Sequence, residues 1–316
     1  MILILGVTGS GKGQLAFDLA ESMGAEIISI DSMKVYRRMN IGTAKPPQAA
    51  RKRIKYHLID VVEPSYSFSV GVFLELAHAA VEQIEQRNKP IVAVGGTALY
   101  VKALLYGLFE GPGTDEQVRK QLDRQAEEKG LEHLYQELKK IDSAAAGRIH
   151  PNDRKRIIRA LEVYNITGKP ISNLQQQFGA EKPLRDWTII GLRREKVVEN
   201  QRINARVKKM IDSRLVDEVE GLLVEDKPLS RQACCAIGYA EIIDYLNGRI
   251  SLEDATELIK KNTRRLAKNQ RTWFKSFKDV HWLDIEADEP PEKILDRTKT
   301  LIVKASAFKK GRMCQR

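Results

Sequence analysis

The sequence predicts an α/β fold, a parallel sheet flanked by helices and interrupted by an all-helical insertion, on three observations. Short apolar runs without polar alternation recur at residues 1–5, 26–30, 90–94 and 187–192, the pattern of strands buried on both faces. Helical periodicity separates the first three, the order that parallel sheets require. The first run leads into a glycine-rich turn, Gly6-Val7-Thr8-Gly9-Ser10-Gly11-Lys12-Gly13, and then into a helix. Strand, turn and helix in that order are the setting of the G-x-x-x-x-G-K phosphate-binding motif, so the expected sheet is P-loop NTPase-like.

Each element follows in turn. Residues 14–23 read as the helix after the turn, with Leu15, Ala16, Leu19 and Ala20 on one side. The strand at 26–30 ends in Asp31-Ser32-Met33-Lys34-Val35-Tyr36. A carboxylate at the carboxyl end of such a strand lies beside the ligand crevice. Gly42-Thr43-Ala44-Lys45-Pro46 and a short strand at 56–60 come next, then an amphipathic helix at 68–87. The strand at 90–94 breaks into Gly95-Gly96-Thr97-Ala98-Leu99-Tyr100, which reads either as a second anion cradle or as a tight strand-to-helix turn. Beyond Gly111-Pro112-Gly113 the chain is charged and helical in period to residue 177, without a strand. Residues 114–186 are therefore expected to be an insertion in a core built from 1–113 and 187–316. The strand at 187–192 returns to the sheet. Helices are expected over 195–223, 240–247 and 252–277, with one more beyond Asp288.

The turn carries the chemistry. Its glycines let backbone N–H groups curl around an anion, the helix start adds its positive dipole end, and Lys12 supplies a point charge. A diphosphate or triphosphate is the expected ligand. Gly13 stands where Ser or Thr would place a hydroxyl on Mg²⁺, which argues against ordinary nucleotide hydrolysis.

Composition narrows the partners. The 316 residues suffice for about two domains, and 42% hydrophobic with 30% charged residues is ordinary for a globular protein. No apolar run approaches the roughly 20 residues of a membrane span, and the first residues lack the features of a secretory signal. Cys234, Cys235 and Cys314 form neither a disulfide framework nor metal-ligand spacing. A cytoplasmic monomer is expected. The net charge of +11 favours a polyanion. Lys260, Lys261, Arg264, Arg265, Lys268, Arg271 and Lys275 crowd one helix around Trp273 and Phe274, and Arg154-Lys155-Arg156-Ile157-Ile158-Arg159 opens another. One basic helix is usually a solvated face; two beside a phosphate loop point to a nucleic-acid backbone.

Several separate stretches together resemble the tRNA dimethylallyltransferase family. They are the loop Gly6 to Lys12, Asp31-Ser32-Met33 with Val35-Tyr36, Gly42-Thr43-Ala44-Lys45, His57-Leu58-Ile59-Asp60 and Phe68-Ser69-Val70. Gly95-Gly96-Thr97, Ile149-His150-Pro151-Asn152-Asp153, Arg159-Ala160-Leu161-Glu162, Thr167-Gly168-Lys169, Ile237-Gly238-Tyr239 and Gln270 with Thr272-Trp273-Phe274 complete a collinear set. The resemblance implies transfer of a dimethylallyl group from its diphosphate to the exocyclic amine of the adenine 3′ of the anticodon in tRNA. It implies that Lys12, Arg206, the loop amides and Mg²⁺ meet the charge growing on the leaving diphosphate. Asp31 would act as base towards the amine or, as in P-loop kinases, hold a Mg²⁺ water; Thr97 would donate its hydroxyl. The segment holding Arg206 reads equally as a solvated helix face.

On the RNA side the resemblance implies a base extruded from the anticodon stem-loop into a pocket lined by Asp31, Ser32, Met33, Lys34 and Thr97. Arg119 would contact the loop, residues Lys155 to Arg159 the phosphates, and Ile237, Gly238 and the Tyr239 ring a base. Trp273 is expected to be buried. The chain departs from the family pattern at Gly13 (usually Thr), Lys34 (Gln), Ala98 (Gly), Arg214 (Gly) and Asn269 (a basic residue). The alternatives are a P-loop small-molecule kinase, a prenyltransferase of free adenylates, and a non-catalytic RNA-binding paralogue.

Overall fold

The computed structural model describes residues 1–108, 111–175 and 183–313; Cys314 and residues 176–177 of the expected helical stretch lie outside them. The chain divides into two compact units, residues 1–105 with 185–316, and residues 106–184.

The first unit holds one sheet of six parallel strands, β1 (Ile2–Gly6), β2 (Glu26–Ile30), β3 (Tyr56–His57), β4 (Ile91–Gly95), β5 (Thr188–Arg193) and β6 (Val280–Asp284), in the order β3-β2-β4-β1-β5-β6. β1 lies at the centre, with Ile4 level with Val94 on one side and Ile190 on the other. Its five residues are all buried, which is why the run carries no polar alternation. Helices α1 (Lys12–Met23), α2 (Gln48–Arg53), α3 (Val70–Gln86) and α4 (Ala98–Tyr106) accompany the first four strands. The second unit contains α5 (Glu116–Lys129), α6 (Leu131–Ile141), α7 (Ser143–Ala146), α8 (Arg154–Thr167) and α9 (Ile171–Leu174). Returning to the first unit, α10 (Lys196–Asp212), α11 (Leu215–Leu223), α12 (Arg231–Cys234), α13 (Tyr239–Leu246), α14 (Leu252–Phe274) and α15 (Pro291–Met313) follow β5. Leu15 and Leu19 of α1 pack with Ile4, Ile27, Val92, Ile190, Leu283 and Ile294 into one apolar cluster. The second unit has its own core around Leu122, Leu134, Leu138, Ile157 and Leu161.

Four expectations need correction. No strand is expected after residue 192, and β6 falls between the helix expected to end at 277 and the tail expected beyond Asp288. Only Leu283 of its five residues is buried, so this edge strand lacks the apolar run that marks the central ones. The helix expected over 195–223 is two helices, divided at Ser213 and Arg214. Arg214 has φ 70°, the left-handed region that glycine occupies without strain, which accounts for the family's usual Gly there. The strand expected at 56–60 stops at His57 because Leu58 and Asp60 have φ of 62° and 56°. Trp273 is 37% exposed, while Phe274 beside it is buried.

Candidate active site

Three loops leave the carboxyl ends of adjacent strands: residues 7–11 after β1, 31–34 after β2, and 96–97 after β4. Gly9 and Gly11 adopt φ of 86° and 96°, which a side chain would strain. Gly6 is needed for closeness, since a Cβ there would come within 2.5 Å of Ser10 Oγ. The turn closes with the Ser10 N–H donating to Val7 O at 3.1 Å. Lys12 begins α1 and donates from Nζ to Val7 O at 3.2 Å.

The double glycine after β4 has a packing reason. A Cβ on Gly95 would lie 2.1 Å from Ile30 O, and one on Gly96 would lie 2.5 Å from Gln270 Nε2. Of the two sequence readings, a tight turn between packed strands explains both residues. Gln270, buried on α14, joins the loops. Its Oε1 accepts from the Thr8 N–H and its Nε2 donates to Gly96 O, both at 2.8 Å.

The second loop is tied by its own carboxylate. Asp31 Oδ1 accepts from the N–H groups of Met33 at 2.9 Å and Lys34 at 3.2 Å. Thr97 Oγ1 accepts from the Ser32 N–H at 3.2 Å, linking the ends of β2 and β4. Asp31 and Thr97 therefore stand at neighbouring strand ends, and Asp31 keeps Oδ2 free of hydrogen bonds among the described residues.

Cations crowd this carboxylate. Burial pulls the Lys12 pKa down to about 7; the charges of Lys34 and Arg206 lower it further, and Asp31 opposes them. Lys34 is lowered by burial and Arg206, again against Asp31, and Arg206 is lowered by burial alone against Asp31. Arg206 reaches the loop directly, donating to Thr8 Oγ1 at 2.5 Å, while its buried Nε has no hydrogen-bond partner. An anion entering here would relieve both the crowding and the orphaned donor.

Sequence reasoning missed two arginines. Arg202 Nε donates to Gly9 O at 2.9 Å, and Arg194 Nε donates to Ser10 O at 3.0 Å. They grip the outer carbonyls of the turn. The available signal was the four-residue spacing of Arg202 and Arg206, which puts both on one face of α10. Arg206 also borders a cavity of about 500 Å³ with Ile41, Lys45, Pro46 and Met210. A larger cavity of about 1130 Å³ lies by Val7, Arg194, Phe274 and Trp282 and includes neither Lys12 nor Asp31.

The loop over the smaller cavity is anchored by Glu218 of α11. Its carboxylate accepts from the N–H groups of Asn40, Ile41 and Gly42 and from the Tyr239 hydroxyl at 2.6 Å. The Tyr239 ring is wholly buried, and a Cβ on Gly42 would approach it to 2.4 Å. The ring expected to meet a base is thus a packing element. Gly238 has φ 96° and donates its N–H to Glu241 Oε2; Ile237 remains half-buried.

In the second unit several residues expected to grip RNA are engaged within the unit itself. Glu162, fully buried, accepts two hydrogen bonds from Arg119 and one from Arg159. Arg159 also donates to the carbonyls of Pro112 and Gly113. A buried carboxylate requires such partners, so Arg119 and Arg159 serve it first. The side chains of Ile157 and Ile158 lie in the core. Lys155 is exposed, and Arg156, also exposed, pairs with Asp153. In the first unit Lys261, Arg265 and Lys268 of α14 and Lys275 at its C-terminal end are exposed, as is Trp273. Among the described residues none of these four lysines and arginines is in an ion pair.

Fold and site together define a P-loop protein: a parallel α/β sheet whose first strand end presents an anion cradle, faced by a carboxylate and a hydroxyl from the next two strands. Residues 34–277 match the model of the IPP transferase family, and residues 1–63 that of isopentenyl transferase. The chain belongs to the IPP transferase family. It is 44% identical over 285 residues to the tRNA dimethylallyltransferase of Geobacter metallireducens, covering 90% of this chain and 92% of that one. Identity to the tRNA dimethylallyltransferase of Acetivibrio thermocellus is 41%, over 98% of this chain and 99% of the other. The solved tRNA isopentenylpyrophosphate transferase of Bacillus halodurans superposes with a TM-score of 0.70 at 36% identity, over 98% of both chains. A eukaryotic dimethylallyltransferase acting on tRNA superposes with a TM-score of 0.73 at 31% identity, over 90% of this chain and 73% of that one.

Proposed function

We propose that this protein transfers a dimethylallyl group from dimethylallyl diphosphate to the exocyclic amine of the adenine 3′-adjacent to the anticodon in tRNA. One observation carries the reading: Asp31 and Thr97 stand at strand ends beside a loop where Lys12, Lys34 and Arg206 crowd a single carboxylate. A kinase site would need a hydroxyl at position 13 to hold its metal, and Gly13 supplies none.

The chemistry follows from charge. The allylic C–O bond breaks as the N–C bond forms, so negative charge grows on the diphosphate and positive charge on carbon. The loop amides, Lys12 and Arg206 meet the first. Asp31 Oδ2 accepts the proton that the amine loses as it attacks, a contribution of about 10²–10⁴ in rate for a positioned base. Thr97, its oxygen already accepting from Ser32, keeps its own proton to donate to the diphosphate or the incoming adenine. The cavity that begins at Arg206 has apolar walls in Ile41, Pro46 and Met210 beside the cations Lys45, Arg51 and Lys209.

For tRNA, the free cations of α14 with Trp273, together with Lys155 and Arg156, are the groups available to phosphate and to a splayed base. Ser32, Met33 and Lys34 are half-buried beside Asp31 and would line the pocket of the extruded adenine. Among the described residues no helix is long and apolar enough to cross a membrane, and a cytoplasmic monomer fits the reading.

The side chains do not fit a protein-held Mg²⁺. Position 13 has no hydroxyl, and Asp31 offers one free oxygen amid three cations. Among the described residues no group of three or more His, Cys, Asp or Glu could hold an ion. Mg²⁺ enters this reading as the counter-ion of tRNA and of the free diphosphate. The test is direct. Radiolabelled dimethylallyl diphosphate incubated with the purified protein should label tRNA and leave AMP unlabelled. Labelled AMP would favour a free-adenylate prenyltransferase, and tRNA binding without transfer a non-catalytic paralogue.

A further inference from the structure

We propose that this chain holds the diphosphate of its donor with side-chain cations and loop amides alone, without a divalent ion coordinated by protein side chains. The inference deepens the proposed function and rests on it.

The first ground is a vacancy of chemistry. A Cβ built on Gly13 meets nothing within 4 Å, so no neighbouring side chain has moved in to replace the hydroxyl that P-loops use for metal. The place is open, and a β-hydroxyl residue would fit it without strain, since Gly13 lies inside α1 with ordinary helical backbone. The second ground is an unusual supply of positive charge. Lys12, Lys34 and Arg206 face Asp31, the buried Arg206 Nε lacks a partner, and Arg194 and Arg202 hold the Ser10 and Gly9 carbonyls. Arg194 draws electron density from the peptide that carries the Gly11 N–H, which strengthens that amide as an anion donor. The third ground is competition for Asp31. One of its oxygens is occupied by the Met33 and Lys34 amides, and the other cannot both ligate a metal and accept a proton.

Mg²⁺ keeps most of its water and binds through one or two carboxylates and substrate phosphates. Here an ion joining from solution enters a field made positive by Arg206 and Lys34 and, once the anion has bound, by Lys12, and it finds no second anchor. The cations do the neutralising that metal does elsewhere.

Calorimetric titration of inorganic pyrophosphate into the full-length protein, in EDTA and in Mg²⁺, tests this with no turnover involved. The wild type should bind in both media with affinities within about threefold, less than the tenfold that 1.4 kcal/mol would give. Gly13→Thr, which restores the hydroxyl, should bind at least about tenfold more tightly in Mg²⁺ than in EDTA. Wild-type binding that is at least about tenfold weaker in EDTA would overturn the proposal while leaving the diphosphate role of the loop intact. A Gly13→Thr variant indifferent to Mg²⁺ would overturn the assignment to position 13. Pyrophosphate bound in neither medium would sink the loop reading itself, and this inference with it.

Discussion

Replacing Gln270 asks whether one buried amide holds the two anion-facing loops together. The side chain is nearly inaccessible, accepting from the Thr8 N–H and donating to Gly96 O at 2.8 Å each. Gln270→Ala leaves one backbone donor and one backbone acceptor unpaired in the interior, at about 1–3 kcal/mol apiece. A loss of about 2–6 kcal/mol from the first unit is expected, or a fall in midpoint of roughly 4–24 °C at about 2–4 °C per kcal/mol. Gln270→Glu is the sharper probe. A carboxylate can still accept from Thr8 but meets Gly96 O with a lone pair, so its folded-state pKa must rise above the unfolded value. Protonated, it can donate again. The Gln270→Glu deficit should therefore be full at pH 8 and shrink as pH falls through the raised pKa, whereas the Gln270→Ala deficit should not follow pH. Thermal denaturation of wild type and both variants between pH 5 and 8 reads the difference. A Gln270→Ala midpoint equal to wild type, or a Gln270→Glu deficit that grows on acidification, would refute the crosslink.

Three further outcomes follow from other parts of the site and sheet. With its pKa brought down to about 7 by burial, Lys12 should take up a proton when pyrophosphate arrives. Calorimetric enthalpy at pH 8 should then vary with buffer ionisation enthalpy, and invariance would remove Lys12 from the contact. Glu26, buried at the start of β2 with His57 and Arg87, has its pKa brought down to about 2 by those hydrogen bonds despite burial. It contributes stability above pH 4.5 that is lost as pH falls towards 2, so Glu26→Gln should destabilise by about 3–5 kcal/mol near neutrality and progressively less in acid. Glu218→Ala frees the Asn40, Ile41 and Gly42 amides together with the Tyr239 hydroxyl; hydrogen exchange at 40–42 should quicken while that of β1 stays as it was.

The parts legible in sequence were those whose physics is local. β1, β2 and β4 are buried on both faces, so each shows as an apolar run, and the glycine turn announces itself because only glycine takes φ of 86° and 96° without strain. β6 was not legible, since an edge strand with one buried residue resembles a loop. The break at Arg214 hides for a related reason: an arginine in a left-handed conformation gives no local sign of it. The strand-end position of Asp31 is legible in the sequence, whereas Thr97 is singled out only by the family resemblance; the Thr97–Ser32 contact brings those strand ends together. Long-range partners could not be foreseen. The Arg159–Glu162 pair has the i,i+3 spacing of one helix face, but nothing near Arg119 reveals that Glu162 binds it too, nor does the Gly238-Tyr239 pair reveal Glu218. Arg194 and Arg202 serve the loop through its carbonyls, a role set wholly by tertiary placement.

The most direct measurement compares single-turnover transfer and tRNA affinity for wild type and Asp31→Ala. If the Asp31 carboxylate takes the amine proton, transfer should fall by about 10²–10⁴ while the tRNA dissociation constant stays within about threefold, under 1 kcal/mol. Parallel losses of rate and affinity would make Asp31 a binding residue, and an unchanged rate would contradict the mechanism outright.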